Sequence, residues 1–170
     1  MRDAYDVVIV GGAVIGSSVA YFLTANPDFG GSVLVVERDP SYARAATSLS
    51  SSSIRTQFSN PINVRISQFG SQFIRDFPEV MAVGDDRPDL NFHPGGYLFL
   101  ADDATSAALD ARADAQDAAG VVQQRLSVDD IAALVPGLAL DDIRWGLFGP
   151  EDGYANPREV LFGLRAAAAH

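Results

Sequence analysis

The sequence predicts an α/β protein that opens on a βαβ unit and carries an inserted α+β portion, and three observations predict it. A continuous apolar run, Val7 to Val10, leads at once into the glycine-rich stretch Gly11-Gly12-Ala13-Val14-Ile15-Gly16 and then a helical pattern. A second apolar run, Ser32 to Val36, closes on an acid, Glu37. About a hundred residues of mixed strand and helix signals then precede a well-formed helix start at Asn156-Pro157. The boundaries expected from these changes are 1–80 for the opening α/β portion, 81–153 for the inserted portion and 154–170 for a helix returning to the first.

In order along the chain, Val7 to Val10 has the length and β-branched content of a buried strand. After the glycines, Ile15, Val19, Phe22 and Leu23 fall on one side of a helix that should stop near Asn26-Pro27. Phe29-Gly30-Gly31 is a turn into the second strand. Thr47 to Ser53 is rich in small polar residues, but it lies between ordered elements and is not expected to be a free linker. Asn60-Pro61 caps and starts a helix on which Ile62, Ile66, Phe69, Phe73 and Phe77 form one apolar stripe.

Further on, His93-Pro94-Gly95-Gly96 reads as a turn, with His93 a turn residue rather than a base, leading into a strand at Tyr97 to Leu100. An alanine-rich helix spans Ala104 to Ala119 and ends at Gly120. A strand at Val121 to Leu126 precedes a short helix that Ser127 and Asp130 would cap at capping-box spacing, and Ile143 to Phe148 is a further strand. The last helix begins with cap, proline and acid at Asn156-Pro157-Arg158-Glu159. It reaches Ala169-His170 with no stop signal, so the chain is expected to be truncated within or just after it.

Composition narrows the chemistry. The formal charge of −10, with acids spread through Asp102 to Asp142, would repel nucleic-acid phosphate, so no nucleic-acid partner is expected. The absence of cysteine removes disulfides, thiolate metal sites and dithiol redox pairs, and no metal site is expected. With no lysine there is no Schiff-base nucleophile. No apolar run approaches a membrane span or a secretory h-region, which makes the cytoplasm the expected location. Redox chemistry here needs a borrowed cofactor.

The opening unit has the logic of phosphate binding. A tight glycine turn lets backbone amides at a helix N-terminus approach a pyrophosphate, and the helix dipole favours the anion. Gly11 and Gly16 hold the first and third glycine positions, while Ala13 departs from the middle one. Glu37, 21 residues beyond Gly16, is placed to accept hydrogen bonds from a ribose and disfavours a 2′-phosphate. An NAD half-domain would continue with another helix and a third parallel strand; this chain instead enters the Thr47 to Arg55 loop, as expected for FAD. Serine hydroxyls in that loop would serve the second phosphate, and Arg55 would either place positive charge near a flavin or make a surface ion pair.

The stretches DVVIVGGAVIGSSVAYFL (6–23), VLVVERD (33–39), TSLSSSSIRTQFS (47–59), PGGYLFLA (94–101) and GPEDGYANP (149–157) make the chain similar to the FAD-dependent oxidoreductases of the D-amino acid oxidase and sarcosine oxidase type. It most resembles the subgroup called FAD-dependent oxidoreductase domain-containing proteins. The resemblance implies a Rossmann-like FAD-binding βαβ unit with a substrate-domain portion inserted. It implies that Gly11, Gly12, Ala13, Val14, Ile15 and Gly16 hold the pyrophosphate, Glu37 the adenosine ribose and Arg38 the adenine side. Thr47, Ser48, Ser51 and Ser52 would serve the pyrophosphate and flavin. Leu49 and Ser50 stand where some relatives attach flavin through histidine, so such attachment is not expected.

By the same resemblance the complete protein would oxidise the C–N bond of an amino acid or N-methylated amine by hydride transfer to flavin. A missing C-terminal half would supply further sheet strands and much of the substrate pocket. No catalytic residue is assigned. Two other readings stay open at this stage: a non-catalytic flavoprotein that acts in assembly, and an NAD-dependent dehydrogenase.

Overall fold

A computed structural model describes residues 2–170, which form two compact units. The first comprises the chain up to Ser52, Arg75–Phe92 and Ala155–His170; the second comprises Ser53–Ile74 and His93–Tyr154.

In the first unit, β1 (Val7–Val10), α1 (Val14–Thr24) and β2 (Val33–Val36) make the expected βαβ. The two strands pair in parallel, Val7 with Val33 through Val10 with Val36. The packed face of α1 differs from the apolar pattern. Ile15, Val19 and Phe22 are exposed, and the buried residues are Gly16, Ser17 and Ala20. Small side chains let α1 lie close to the strands and to α5 (Pro157–Ala169), an approach that larger apolar residues would prevent. Leu161 and Leu164 are the buried apolar residues of α5. Its start is fixed as expected, with Asn156 Oδ1 accepting the Arg158 N–H at 3.0 Å. Gly163 of α5 leaves room for Phe77, which is fully buried; a Cβ at Gly163 would lie 2.5 Å from Phe77 Cε1.

Phe77 belongs to α2 (Pro61–Val80), whose expected stripe is met at Phe77 and corrected toward the helix start. Ile62, Ile66 and Phe69 are more than half exposed, while Val64, Ser71 and Phe77 are buried. Step-three and step-four spacing identifies a helix face but does not say that the face is covered. Val8 and Val10 on β1 and Val35 and Val36 on β2 are exposed as well, which leaves apolar surface on this small sheet.

The second unit is built on a three-stranded antiparallel sheet in the order β4 (Tyr97–Ala101), β6 (Trp145–Gly149), β5 (Gln124–Leu126). Tyr97 pairs with Gly149 and Ala101 with Trp145 across β4 and β6. α3 (Ser106–Ala118) packs on this sheet through Leu109 and Ala113, which form a core with Ala101 and Leu147, flanked by Phe99 and Trp145. β5 is shorter than the apolar run from Val121 suggests. The Val121 N–H instead donates to the Gln116 carbonyl at 3.0 Å, finishing α3 beyond Gly120, whose φ is +73°. Two short strands, β3 (Ser53–Ile54) and β7 (Gly153–Tyr154), pair antiparallel, so the serine-rich stretch ends in sheet.

α4 (Val128–Leu134) starts with the full reciprocal box: Ser127 Oγ accepts the Asp130 N–H at 3.2 Å, and Asp130 Oδ2 accepts the Ser127 N–H at 3.0 Å. The shorter Asp therefore substitutes for Glu. Ser127→Ala is expected to lower stability by about 1 kcal/mol, read as a shifted urea midpoint at unchanged slope. Among the described residues no helix is long and apolar enough to cross a membrane.

Candidate functional site

The glycine turn of the first unit is held together by several independent contacts. The Gly11 N–H donates to the Val36 carbonyl at 2.8 Å, tying the end of β1 to the end of β2. Gly11 has φ +100°, where only glycine is unstrained, and a Cβ built there would meet nothing within 4 Å. Gly16 is required for the opposite reason. A Cβ there would overlap the Gly11 carbonyl oxygen and lie 3.2 Å from Ile9 Cγ2. Buried Ser17 donates its hydroxyl to the Gly12 carbonyl at 2.8 Å, locking the first turn of α1 to the loop. Ala13 is the N-cap and offers no capping side chain, so the helix start depends on partners from elsewhere.

Two of those partners come from predicted site residues. Glu37 Oε2 accepts the Gly12 N–H at 2.8 Å and its Oε1 accepts the Asp39 N–H at 2.9 Å. These bonds hold its carboxyl below the usual glutamate range, the Asp39 amide contributing most and the Gly12 amide next. Thr47, which is buried, brings its Oγ1 to within 3.2 Å of the Val14 amide, from which it accepts. The polar loop is thus pinned against the helix start.

A cleft of about 730 Å3 opens beside this turn, lined by Val10, Gly11, Ala13 and Val36 on the strand and turn side and by Glu37, Arg38, Asp39 and Arg44 on the loop side. Ser48 Oγ is buried without a hydrogen-bond partner. An unpaired buried hydroxyl carries a desolvation cost that a bound polar group would remove. Ser51 is exposed, and Ser52 is half-buried with φ +54°, a strained value for a serine. The donors and acceptors present fit a dinucleotide: open space over Gly11, amides at a helix start, a hydrogen-bonded acid at the end of β2 and hydroxyls in the following loop.

Arg55 lies in the second unit. Its guanidinium stands 4.7 Å from the Phe58 ring centroid, 5.2 Å from that of Tyr97 and 5.4 Å from that of Phe99, and its Nη1 donates to Tyr97 Oη at 3.3 Å. A cleft of about 510 Å3 runs past it, lined also by Ile54, Ile66, Gly70, Ile74 and Tyr97. The backbone of His93 pairs with Tyr154, and the two rings stack at 4.9 Å.

Three residues near these sites have no role expected from the sequence, although Asp152 lies within the GPEDGYANP stretch. Tyr42 is buried at φ +55°, with its hydroxyl 3.2 Å from where a Gly12 Cβ would be. Arg44 borders the dinucleotide cleft. Asp152, buried in the second unit, accepts from both the Thr56 amide at 2.9 Å and the Thr56 hydroxyl at 3.0 Å. The turn Asp39-Pro40-Ser41, with Asp39 Oδ1 accepting the Ser41 amide at 3.0 Å, is the one readable hint that the chain folds back before Tyr42.

The βαβ with its glycine turn and terminal acid is the architecture of a dinucleotide-binding α/β protein. Residues 6–170 match the family described as FAD dependent oxidoreductase (DAO), and the chain belongs to that family. Its cofactor is therefore FAD, which sets aside the NAD alternative. The chain is 42% identical over 164 residues to FAD-dependent oxidoreductase domain-containing protein 1 of Bos taurus, covering 94% of this chain and 34% of the relative. It thus spans about a third of the length of the curated relatives it matches. Among solved structures, glycine oxidase from Bacillus cereus superposes with a TM-score of 0.75 at 25% identity, over 98% of this chain and 44% of that one. L-proline dehydrogenase from P. horikoshii shares the fold with a TM-score of 0.84 at 24% identity, over 99% of this chain and 42% of that one.

Proposed function

We propose that this chain carries the cofactor turn and part of the substrate-binding portion of an FAD-dependent amine or amino-acid oxidoreductase. The observation that carries the reading is the glycine turn closed by Glu37, beside a cleft with room for a dinucleotide. In this reading Gly11 to Gly16 hold the pyrophosphate, Glu37 the adenosine ribose and Arg38 the adenine side. Thr47, Ser48, Ser51 and Ser52 serve the phosphates and ribityl chain, the buried hydroxyl of Ser48 being the strongest structural argument for a polar ligand there. The first unit is then the cofactor-binding portion and the second contributes to substrate binding.

An amino-acid substrate is supported by two observations. Glycine oxidase is among the similar structures. Arg55, half-buried among three rings, makes no ion pair among the described residues, so its charge is free to meet a carboxylate. The apolar walls of its cleft suit the rest of a small substrate. Bound FAD supplies the two-electron acceptor for C–N oxidation; the chain's own residues fix the dinucleotide and hold substrate charge.

The test is anaerobic titration of the FAD-loaded full-length protein with glycine, L-proline, sarcosine and dimethylglycine. Bleaching of the visible flavin absorption by at least one of them is the expected result. A flavin inert to all, with a stable co-purifying partner, would replace this reading with an assembly role. The 170-residue chain alone is expected to bind FAD weakly or not at all and to show no turnover, given the apolar surface left on β1 and β2.

A further inference from the structure

We infer that Arg44 is an anion-binding residue of the dinucleotide cleft, donating to the pyrophosphate of the cofactor. The inference rests on the FAD reading and adds to it a contact from outside the glycine motif. It begins from a shortage of donors. A helix start binds phosphate through its first free amides. Here the Gly11 N–H is held by the Val36 carbonyl, the Gly12 N–H by Glu37 and the Val14 N–H by Thr47, so three amides of the turn are already engaged.

The charge balance of the cleft points the same way. Glu37 and Asp39 both line it, and hydrogen bonds favour the ionised form of each: the Asp39 and Gly12 amides for Glu37, the Ser41 hydroxyl and amide for Asp39. A dianionic pyrophosphate entering beside two carboxylates needs positive charge nearby. The cleft has two arginines. Arg38 makes no ion pair among the described residues, but it adjoins Asp39 in sequence and is taken by the adenine side in the proposed function. Arg44 makes no ion pair among the described residues, whereas Arg87, Arg125 and Arg144 each find carboxylates. In a chain of net charge −10, a guanidinium that lines a cleft without an acidic partner is a vacancy for an anion.

The loop beneath Arg44 is also anchored. The Tyr42 N–H donates to the Asp39 carbonyl at 3.0 Å and the Ala45 N–H donates to the Tyr42 carbonyl at 3.0 Å, so successive turns define where Arg44 leaves the backbone. Tyr42 is 4% exposed, its ring meets Phe162 edge-on at 6.2 Å, and its φ of +55° is sustained only because its surroundings impose it. A fixed stem lowers the entropy lost when a long side chain engages a ligand. The planar fork of a guanidinium matches two phosphate oxygens.

The test is titration of the 170-residue chain with ADP, adenosine and FAD, followed by amide chemical shifts, which register weak binding. Arg44→Gln should weaken ADP and FAD about tenfold while adenosine changes by less than about twofold. Arg44→Lys should recover part of the loss, and added salt should weaken ADP binding more in the parent than in Arg44→Gln. Equal losses for ADP and adenosine, or no loss for either, would overturn the assignment to Arg44 while leaving the FAD reading intact. A parent chain that binds neither ADP nor FAD at millimolar concentration would overturn the Arg44 assignment for this chain. Because Arg44 is exposed, an unchanged amide spectrum should show that each variant is folded.

Discussion

Gly16→Val should abolish dinucleotide binding and destabilise the first unit by about 3 kcal/mol or more, the upper end of what overpacking costs. The obstacle is backbone, not a flexible side chain. Any Cβ at this position overlaps the Gly11 carbonyl oxygen and presses on Ile9, so either α1 must move away from β1 or the turn must open. Gly11 cannot readily yield, because its amide is bonded to Val36 and its φ of +100° belongs to the turn. Moving α1 would also disturb its packing along α5 and break the Ser17 to Gly12 hydrogen bond. Urea unfolding should show a lower midpoint, and the ADP-induced shifts at Gly11 to Gly16 should vanish. Gly70→Ala provides the control: it sits in a helix with nothing within 4 Å of a Cβ, and should be neutral or slightly stabilising.

Glu37→Gln should weaken FAD and ADP by on the order of tenfold or more, since the charged acceptor that holds the turn, and in the proposed function also the ribose, is lost. Glutamine keeps one acceptor oxygen where the carboxylate had two, so the Gly12 and Asp39 amides cannot both be satisfied as now. The pH dependence separates this from a packing effect. The folded state holds the Glu37 carboxyl below its ordinary 4.5, chiefly through the Asp39 amide and then the Gly12 amide. The unfolded chain therefore binds the proton more readily. The stabilisation is complete above the ordinary value and declines as pH falls below it toward the lowered folded value. The stability curve of Glu37→Gln should be flatter than the parent's in that acidic window and parallel to it at neutral pH. Parallel curves throughout would mean that Glu37 titrates alike in both states.

The parts of the fold that could be read in advance are those where a residue type has only one physical use. Gly11 and Gly16 mark a turn because positive φ and close backbone approach admit little else. Asn156-Pro157 and Ser127 with Asp130 mark helix starts because their side chains replace missing backbone partners. What apolar spacing could not reveal was which faces are covered. α1 packs through Gly16, Ser17 and Ala20, residues that carry almost no hydrophobic signal, while Ile15, Val19 and Phe22 lie outside. The stripe on α2 held only toward its C-terminal end, where Phe77 is buried, whereas Ile62, Ile66 and Phe69 are exposed and Val64 and Ser71 are buried instead. Tyr42 and Arg44 were illegible for a different cause. A tyrosine gives no warning that it will adopt a left-handed backbone, and the two turns that carry Arg44 into the cleft depend on it.

The central claim is that the amides of the opening turn and the carboxylate closing β2 form one dinucleotide site. An amide-resolved titration of the chain with FAD tests it most directly. Shifts concentrated at Gly11 to Gly16, Glu37 to Asp39 and Thr47 to Ser52 are the predicted result. Saturable FAD binding that leaves those amides unmoved, or perturbs only the second unit, would contradict it.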